Sequence, residues 1–349
     1  MDYSRKIYKQ DSKGRVRILH VYTEGADLVQ ESGLLEGQLV KHQSTCVPKN
    51  IGKANETSAI EQAKAEAESK IVTKMSTGYF DSVEDAKAFD VLLPMLAKSY
   101  DKEAHKVEYP CYAQPKLDGM RALGYSDKFV SRKGKEILNM DHILKELATL
   151  ELESPLDGEL YAHGKNFQEN MRLIKKYRPG ETEAVKYHVY DYADPNLTFK
   201  QRLGAINHII TFKKFKYIEL VPTVDIGNER DLKVLHGKAL NMGYEGTILR
   251  WGDAGYKSKS RSSNLLKYKD FIDETYKVID VVPSVKVPTQ GVILCEGFGC
   301  GMKFSHAERE EILKNKQNYI GQTAEVRFFE YSEDGIPRFP VCVGFRLDK

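Results

Sequence analysis

The 349-residue sequence has little of what marks several common classes of protein. Its five cysteines are scattered and include no Cys-x-x-Cys pair, so buried free thiols are expected rather than a zinc site or a disulfide scaffold. No apolar run approaches the roughly 18 residues that a membrane helix needs. The N-terminus has no apolar segment of the kind found in secretory signals, and we therefore expect a cytoplasmic protein without a membrane partner.

Net charge is also small, since 53 basic residues face 50 acidic ones and leave +3. The total therefore gives little sign of a polyanionic partner. The distribution is different, because basic clusters occupy residues 5–17, 172–178 and 257–269. Hydrophobic residues at 41% and charged residues at 30% are typical of a globular chain, and the length predicts two or three domains.

The first segment, residues 1–78, reads as a small α+β module. Apolar alternation over residues 7–22, around a turn at 11–14, predicts a hairpin, and a turn-rich region is expected around Gly25, Gly33 and Gly37. Ser58 and Glu61 have the spacing of a capping box at the start of a helix that runs to about Met75. Its predicted apolar face consists of Ile60, Ala63, Ala67, Ile71 and Met75.

The remaining chain divides near residue 270. Residues 79–269 contain short β-like runs at 112–115, 122–125, 156–161 and 187–190, and a helix predicted over 228–243, with Leu232, Leu235, Ala239 and Met242 on one face. Residues 270–349 combine strands at 276–282, 322–331 and 341–345 with one helix after Ser305, which fits a Greek-key barrel of the OB type. The glycine-rich stretch 297–301 is interpreted as a turn or bulge. The overall class is α+β.

One short segment is a candidate for covalent chemistry. Lys116 is followed by Asp118, Gly119 and Arg121, and the segment stands between two β-like runs. A lysine becomes a nucleophile when burial or neighbouring cations lower its pKa. Asp-Gly is equally a hairpin signal, so the segment alone leaves a plain turn open.

Further charged motifs follow this lysine in a fixed order. Each of them could alone be a turn, a loop, a core aromatic or a solvated strand face. In chain order they are Arg132 in a basic turn, Glu159 after Asp157-Gly158, Tyr190-Asp191, Glu245-Gly246, Lys267 with Lys269, and Arg346 with Lys349.

The ordered series resembles the nucleotidyltransferase motifs of the ATP-dependent DNA ligases, from about residue 80 to the C-terminus, and 94–97 is similar to the lead-in of these enzymes. The resemblance implies an adenylation domain of antiparallel sheets with flanking helices at 79–269 and an OB-fold domain at 270–349. It also implies that the enzyme uses ATP and Mg²⁺ and seals nicks in double-stranded DNA. A compact ligase of this kind is typical of bacteriophages or bacteria, and we expect it to act as a monomer in the cytoplasm of a bacterial or phage-infected cell.

The resemblance also assigns roles to residues. Lys116 would attack the α-phosphorus of ATP and carry AMP, Glu159 would hold the ribose or the metal, and Glu245 would be a metal ligand. Tyr190 would stack on adenine. The cationic roles fall to Arg121 and Arg132 on the nucleotide and the 5′-phosphate of the nick, to Lys267 and Lys269 on the α-phosphate, and to Arg346 and Lys349 on the pyrophosphate.

The first segment faintly resembles the WGR type of DNA-end-binding module, although its only tryptophan, Trp251, lies elsewhere. Its basic residues predict DNA contact, because phosphates are bound by Lys and Arg. The predicted DNA-binding residues are Arg5, Lys6, Arg15 and Arg17 in this segment, and Lys257, Lys259 and Arg261 farther along.

Other functions remain open at this point. An RNA ligase or a GTP-dependent mRNA-capping nucleotidyltransferase belongs to the same superfamily. The Arg346 motif, which resembles that of DNA ligases and capping enzymes, argues against an RNA ligase, and the DNA-ligase-like lead-in argues against a capping enzyme. A DNA-binding protein with an inactive core is the third alternative. It is disfavoured because Lys116, Glu159, Glu245 and Lys267 are all present.

Overall fold

A computed structural model describes residues 3–11, 14–88, 92–285, 287–332 and 334–346. The chain forms two units, Met1–Tyr268 and Lys269–Lys349, which are described separately below. The division predicted at residue 78 falls inside the first unit and stays a prediction.

The first unit begins with a four-stranded antiparallel sheet. The hairpin predicted over 7–22 is confirmed, with Ile7 opposite Leu19, while Ser12 and Lys13 of its turn lie outside the described residues. The prediction of a turn around Gly33 was wrong, because this residue lies inside a strand. Two further strands continue the sheet after the hairpin. The four strands are β1 (Ser4–Gln10), β2 (Val16–Glu24), β3 (Asp27–Leu34) and β4 (Val40–Thr45).

Helix α1 (Ala59–Met75) packs against this sheet. The predicted capping box is present, since the Ser58 hydroxyl accepts a hydrogen bond from the Glu61 amide and the Glu61 carboxylate accepts one from the Ser58 amide. Ala63, Ala67 and Ile71 are buried in a cluster with strand residues. Ile60 was wrongly placed on this face and is 51% exposed.

The rest of the first unit holds two sheets with flanking helices. Their strand orders are β12-β11-β10-β7-β8-β9 and β13-β6-β14-β15-β5, and the pairs β11–β12 and β15–β5 are parallel. The elements are α2 (Val83–Ala88), β5 (Leu96–Ser99), α3 (Tyr100–Glu103), β6 (Cys111–Lys116), β7 (Met120–Gly124), β8 (Phe129–Ser131), β9 (Glu136–Ile137), α4 (Asp141–Leu147), β10 (Leu156–Tyr161), α5 (Phe167–Lys175), β11 (Lys186–Tyr192), α6 (Phe199–Thr211), β12 (Ile218–Leu220), β13 (Val224–Ile226), α7 (Glu229–Asn241), β14 (Gly246–Arg250) and β15 (Arg261–Tyr268).

The candidate lysine lies where these two sheets are joined. Lys116 ends β6 in the five-stranded sheet, and Met120 begins β7 in the six-stranded sheet. The alternative of a simple hairpin is therefore wrong, because the two strands do not pair with each other. Gly119 is required in the connection, since a Cβ there would lie 2.3 Å from the Leu160 carbonyl oxygen.

Helix α7 confirms the helix predicted over 228–243. The Asn228 side chain caps it by accepting a hydrogen bond from the Asp231 amide at 3.0 Å. Leu232 and Ala239 are buried as expected, but Met242 is 60% exposed because it lies beyond the last helical residue.

The second unit is a six-stranded sheet with one helix, in the order β16-β20-β21-β19-β18-β17. The run predicted as one strand at 276–282 is divided between two strands, because Val278 and Ile279 leave the ladder. The stretch 297–301 was wrongly taken as a turn beyond Gly297 (φ 81°), since a strand begins at Phe298. The elements are β16 (Ile272–Lys277), β17 (Asp280–Pro283), β18 (Gly291–Cys295), β19 (Phe298–Met302), α8 (His306–Lys314), β20 (Thr323–Phe328) and β21 (Val341–Arg346).

The cysteines behave as expected. All five are buried free thiols, three of them in the core of the second unit. In the part of the chain that the structure describes, no three or more His, Cys, Asp and Glu side chains gather into a metal-binding group. No helix among the same residues is long and apolar enough to cross a membrane.

Candidate active site

Lys116 is a mostly buried lysine held against a carboxylate. Its side chain is 21% exposed, and its Nζ donates hydrogen bonds to the Glu245 carboxylate and, at 3.4 Å, to the Leu117 carbonyl oxygen. Burial lowers the pKa of Lys116, while the negative charges of Glu159 and Asp118 act in the opposite direction. The amine therefore loses its proton more readily than an exposed lysine does.

Strand pairing places Glu245 beside this lysine. The Glu245 amide donates to the Lys116 carbonyl oxygen at 2.9 Å, and Gly246 lies opposite Lys116 in the β6–β14 ladder. Gly246 has φ 150°, and a Cβ there would lie 2.2 Å from the Tyr268 carbonyl oxygen. A larger residue at 246 would shift the backbone that carries the Glu245 carboxylate.

Glu159 supplies a second acid close to Lys116. Burial raises the pKa of Glu159 to about 7, although the charges of Lys116 and Arg121 favour the ionised form. Its carboxylate accepts a hydrogen bond from the Tyr190 hydroxyl at 3.3 Å. Glu159 is thus poised to change charge near neutral pH.

Arg121 and Tyr190 are engaged with other protein groups. Arg121 lies opposite Glu159 in the β7–β10 ladder, and its guanidinium donates to both Asp157 oxygens at 2.9 and 2.5 Å. The guanidinium groups of Arg121 and Arg250 lie 5.6 and 5.7 Å from the centroid of the Tyr190 ring. The predicted adenine-stacking ring therefore already contacts two cations.

A second group of cations faces the same lysine. Burial lowers the pKa of Lys267 on β15, and the positive charges of Lys116, Arg261 and Arg132 lower it further. The structure thus brings together Lys267 and Arg132, predicted for the nucleotide, with Arg261, predicted for DNA. The positive charge that these cations place around Lys267 is a suitable environment for phosphate.

Three predicted residues belong to the second unit. The Lys269 ammonium lies 4.3 Å from the centroid of the Phe329 ring, and Arg346 at the end of β21 forms an ion pair with Glu325 at 2.8 Å. Lys349 lies outside the described residues.

The predicted DNA-binding residues differ in how they are paired. Arg5 forms two hydrogen bonds with Asp81 at 3.0 and 2.9 Å, and Arg15 forms an ion pair with Asp11 at 2.9 Å. The Arg261 guanidinium donates to the Ala97 carbonyl oxygen at 2.7 Å. The other predicted residues are exposed, namely Lys6, Arg17, Lys257 and Lys259.

Sequence reasoning missed a buried polar network behind the site. Asp157 is fully buried and accepts hydrogen bonds from Arg121 and, at 2.6 Å, from the Tyr256 hydroxyl. Asp191, also fully buried, accepts from Arg202 and Arg250. A signal was available, since each aspartate lies within a mostly apolar strand, where a buried carboxylate needs a partner.

Family models and relatives match most of this chain. The family model described as "ATP dependent DNA ligase domain" matches residues 94–269, and the one described as "DNA ligase OB-like domain" matches residues 277–346. A DNA ligase of Enterobacteria phage T4 is 25% identical over 334 residues, covering 73% of this chain and 68% of the relative. A DNA ligase of African swine fever virus (isolate Warthog/Namibia/Wart80/1980) is 27% identical over 336 residues, covering 85% of this chain and 78% of the relative.

Solved structures share the fold. One described as "Pmar-Lig_Pre." superposes with a TM-score of 0.67 at 23% identity, covering 81% of this chain and 72% of that one. A structure from a "structure-function analysis of Lig E DNA ligases" has a TM-score of 0.62 at 22% identity, covering 73% of this chain and all of that one.

Proposed function

The chain belongs to the ATP-dependent DNA ligases, and from that premise we propose that it seals nicks in double-stranded DNA with Lys116 as the nucleophile. The observation that carries this proposal is the position of Lys116 at the junction of two sheets, where its buried ammonium contacts Glu245. Burial that lowers the pKa of an amine makes it available for attack.

In the first step the deprotonated Lys116 Nζ attacks the α-phosphorus of ATP. A nitrogen–phosphorus bond forms, the bond from the α-phosphorus to the bridging oxygen of the β-phosphate breaks, and pyrophosphate leaves with that electron pair. Glu245 accepts the Nζ hydrogen bond, so its carboxylate is placed to take the proton. Lys267, Arg132 and Arg261 supply positive charge for the phosphates.

The residues present fit Mg²⁺. Two carboxylates, Glu159 and Glu245, flank Lys116, and Mg²⁺ is commonly held by one or two carboxylates together with substrate phosphates. When bound, the ion neutralises charge that develops on the phosphates.

Two steps complete sealing. AMP passes from Lys116 to the 5′-phosphate at the nick, and the 3′-hydroxyl then attacks that phosphate, so that AMP leaves as the phosphodiester forms. Arg121 and Arg132 are proposed for the 5′-phosphate, and Asp157 holds Arg121 in place until DNA binds. Tyr190 is proposed to orient Glu159 through its hydroxyl as well as to contact adenine.

Several parts of the proposal concern the rest of the chain. Lys269 is proposed for the α-phosphate, and Arg346 and Lys349 for the pyrophosphate. Residues 1–78 are proposed to form a DNA-binding module. We also propose that the enzyme acts as a monomer, since the nucleophile, both acids and the cations near them come from a single chain. The cytoplasm is proposed as its compartment.

The test is covalent labelling. The full chain is incubated with Mg²⁺ and ATP labelled at the α-phosphate, and the adduct is then chased with nicked DNA or nicked RNA. We expect an acid-labile, base-stable adduct that K116R abolishes and that DNA consumes. K128R is the matched control, because Lys128 is an exposed lysine in the turn between β7 and β8. An adduct with GTP alone, or one that persists in K116R, would overturn the assignment.

A further inference from the structure

A basic groove runs along helix α1, on a part of the molecule that the chemistry of Lys116 does not use. It is a concavity of about 560 Å³. Among the side chains that line it are Lys49, Gln62, Glu66, Ser69, Lys70 and Lys74, and we call these six residues the α1 groove. The acid among them, Glu66, is in an ion pair with Lys49 at 2.9 Å. Lys70 and Lys74 therefore supply the groove with excess positive charge.

Further cations gather where the groove reaches the end of α1. The ammonium groups of Lys74 and Lys9 lie 5.7 and 5.6 Å from the centroid of the Tyr79 ring. Lys9 also donates to the Thr77 carbonyl oxygen at 2.6 Å. Arg17 lies directly opposite Lys9 in the β1–β2 ladder. We call Lys9, Arg17, Lys74 and Tyr79 the Tyr79 cluster.

The cations of this cluster repel one another in the protein alone. Like charges directly opposite each other on neighbouring strands are destabilising. Within the described ranges, Lys9, Arg17 and Lys74 form no ion pair with a carboxylate. Burial is the main cause that lowers the pKa of Lys9, and the charges of Lys74 and Lys259 lower it further. Burial and the charge of Lys74 also lower the pKa of Lys70, although the charge of Glu66 acts in the opposite direction. An anion would relieve this repulsion.

We infer that the α1 groove and the Tyr79 cluster bind the sugar–phosphate backbone of the DNA that flanks the nick. This inference rests on the proposed function for the identity of the substrate. Cations spread along a groove match the repeated phosphates of a strand better than they match a single small anion. The influence of Lys259 on Lys9 extends the positive field to the segment that precedes β15 of the catalytic sheet.

A purely structural role makes a different prediction. Cations near the end of a helix also stabilise its C-terminal dipole, and Lys9 and Lys74 lie at that end of α1. Their loss would then lower the melting temperature without changing how DNA binding depends on salt. Loss of a phosphate contact does change the salt dependence. Each lost contact reduces the slope of log K for DNA binding against log salt concentration by about 0.9.

The experiment measures binding of the full chain to a nicked duplex by fluorescence anisotropy between about 50 and about 200 mM KCl. We expect K70Q/K74Q to bind about tenfold more weakly at the upper end of this range, with a salt slope smaller by about 2. K64Q is the matched control, since Lys64 is exposed on α1 and does not line the groove. All variants should form the ATP-derived adduct at the rate of the unchanged chain.

K70R/K74R guards against loss of folding, because arginine preserves the charge and should preserve the slope. An unchanged slope in a folded K70Q/K74Q chain, or an equal loss of slope in K64Q, would overturn the inference. Failure of the proposed function would give a different result, namely no ATP-derived adduct in the unchanged chain. The salt slopes of DNA binding are measured independently of that adduct, so the two failures can be distinguished.

Discussion

The catalytic sheets and the N-terminal module differ in how they hold positive charge. Beside the nucleophile two cations are paired with buried acids, Lys116 with Glu245 and Arg121 with Asp157, and only Lys267 lies mainly among other cations. Around Tyr79 three cations from different elements converge without such partners among the described residues. Paired buried charges hold a side chain in one position, whereas unpaired cations produce a field that an outside polyanion can satisfy. On our proposal, the paired cations position side chains for chemistry and the unpaired ones attract the substrate.

The largest effect is expected where a buried pair is broken. In D157N the amide cannot accept from both guanidinium nitrogens and the Tyr256 hydroxyl while balancing the charge of Arg121. We expect the free energy of unfolding to fall by about 3–5 kcal/mol, measured by urea denaturation. Adduct formation should also slow at temperatures where the variant stays folded, because Arg121 is no longer held.

D127N serves as the control for this substitution. The Asp127 carboxylate is 76% exposed and lies 4.0 Å from Lys128. Its loss should change the unfolding free energy by less than about 0.5 kcal/mol. Similar losses in D157N and D127N would contradict the distinction between buried and exposed pairs.

A smaller effect is expected from the titration of Glu159. Its pKa lies at about 7, above the ordinary 4.5, because it is buried. Glu159 is proposed to hold Mg²⁺ in its ionised form, so the Mg²⁺ concentration for half-maximal adduct formation should rise about tenfold for each pH unit below 7. E159Q should need more Mg²⁺ at every pH and lose most of this dependence. An identical pH profile in E159Q would remove Glu159 from the metal site.

The same shift has a consequence for stability without nucleotide. The folded chain keeps a proton on Glu159 that the unfolded chain releases above about pH 4.5. The contribution of this group to stability is therefore present at low pH and is lost as the pH rises through about 7. The sign can be checked by comparing the melting temperatures of the unchanged chain and E159Q at pH 5 and pH 8. Between these values the melting temperature of the unchanged chain should fall by more than that of E159Q.

Local signals predicted the elements well, but not their partners. The capping residues Ser58, Asn228 and Ser305 each start a helix, since a cap acts within three residues of its helix. Strands β6 and β7 belong to different sheets because each pairs with strands that are distant in the sequence. No local sequence pattern encodes this pairing.

The same limit applies to the site. The order of the motifs indicated Lys116, Glu159, Glu245 and Lys267, and the fold brings these residues into electrostatic contact. The pairing of Arg121 with Asp157 was not predicted. The two residues are 36 positions apart, and the sequence does not show that folding brings their side chains together.

The smallest effect separates paired from unpaired cations within the N-terminal module itself. Arg5 is a predicted DNA contact, but it forms an ion pair with Asp81, whereas Lys74 has no ion pair with any of the residues that the structure describes. R5Q should therefore alter the salt slope of DNA binding by less than half the change caused by K74Q. It should lower the unfolding free energy by only about 0–1 kcal/mol, because both partners are well exposed. If R5Q and K74Q changed the salt slope of DNA binding equally, ion pairing on this surface would not determine which cations contact phosphate. A larger change in the salt slope for R5Q than for K74Q would indicate that the DNA contacts the outer edge of β1 and not the α1 groove.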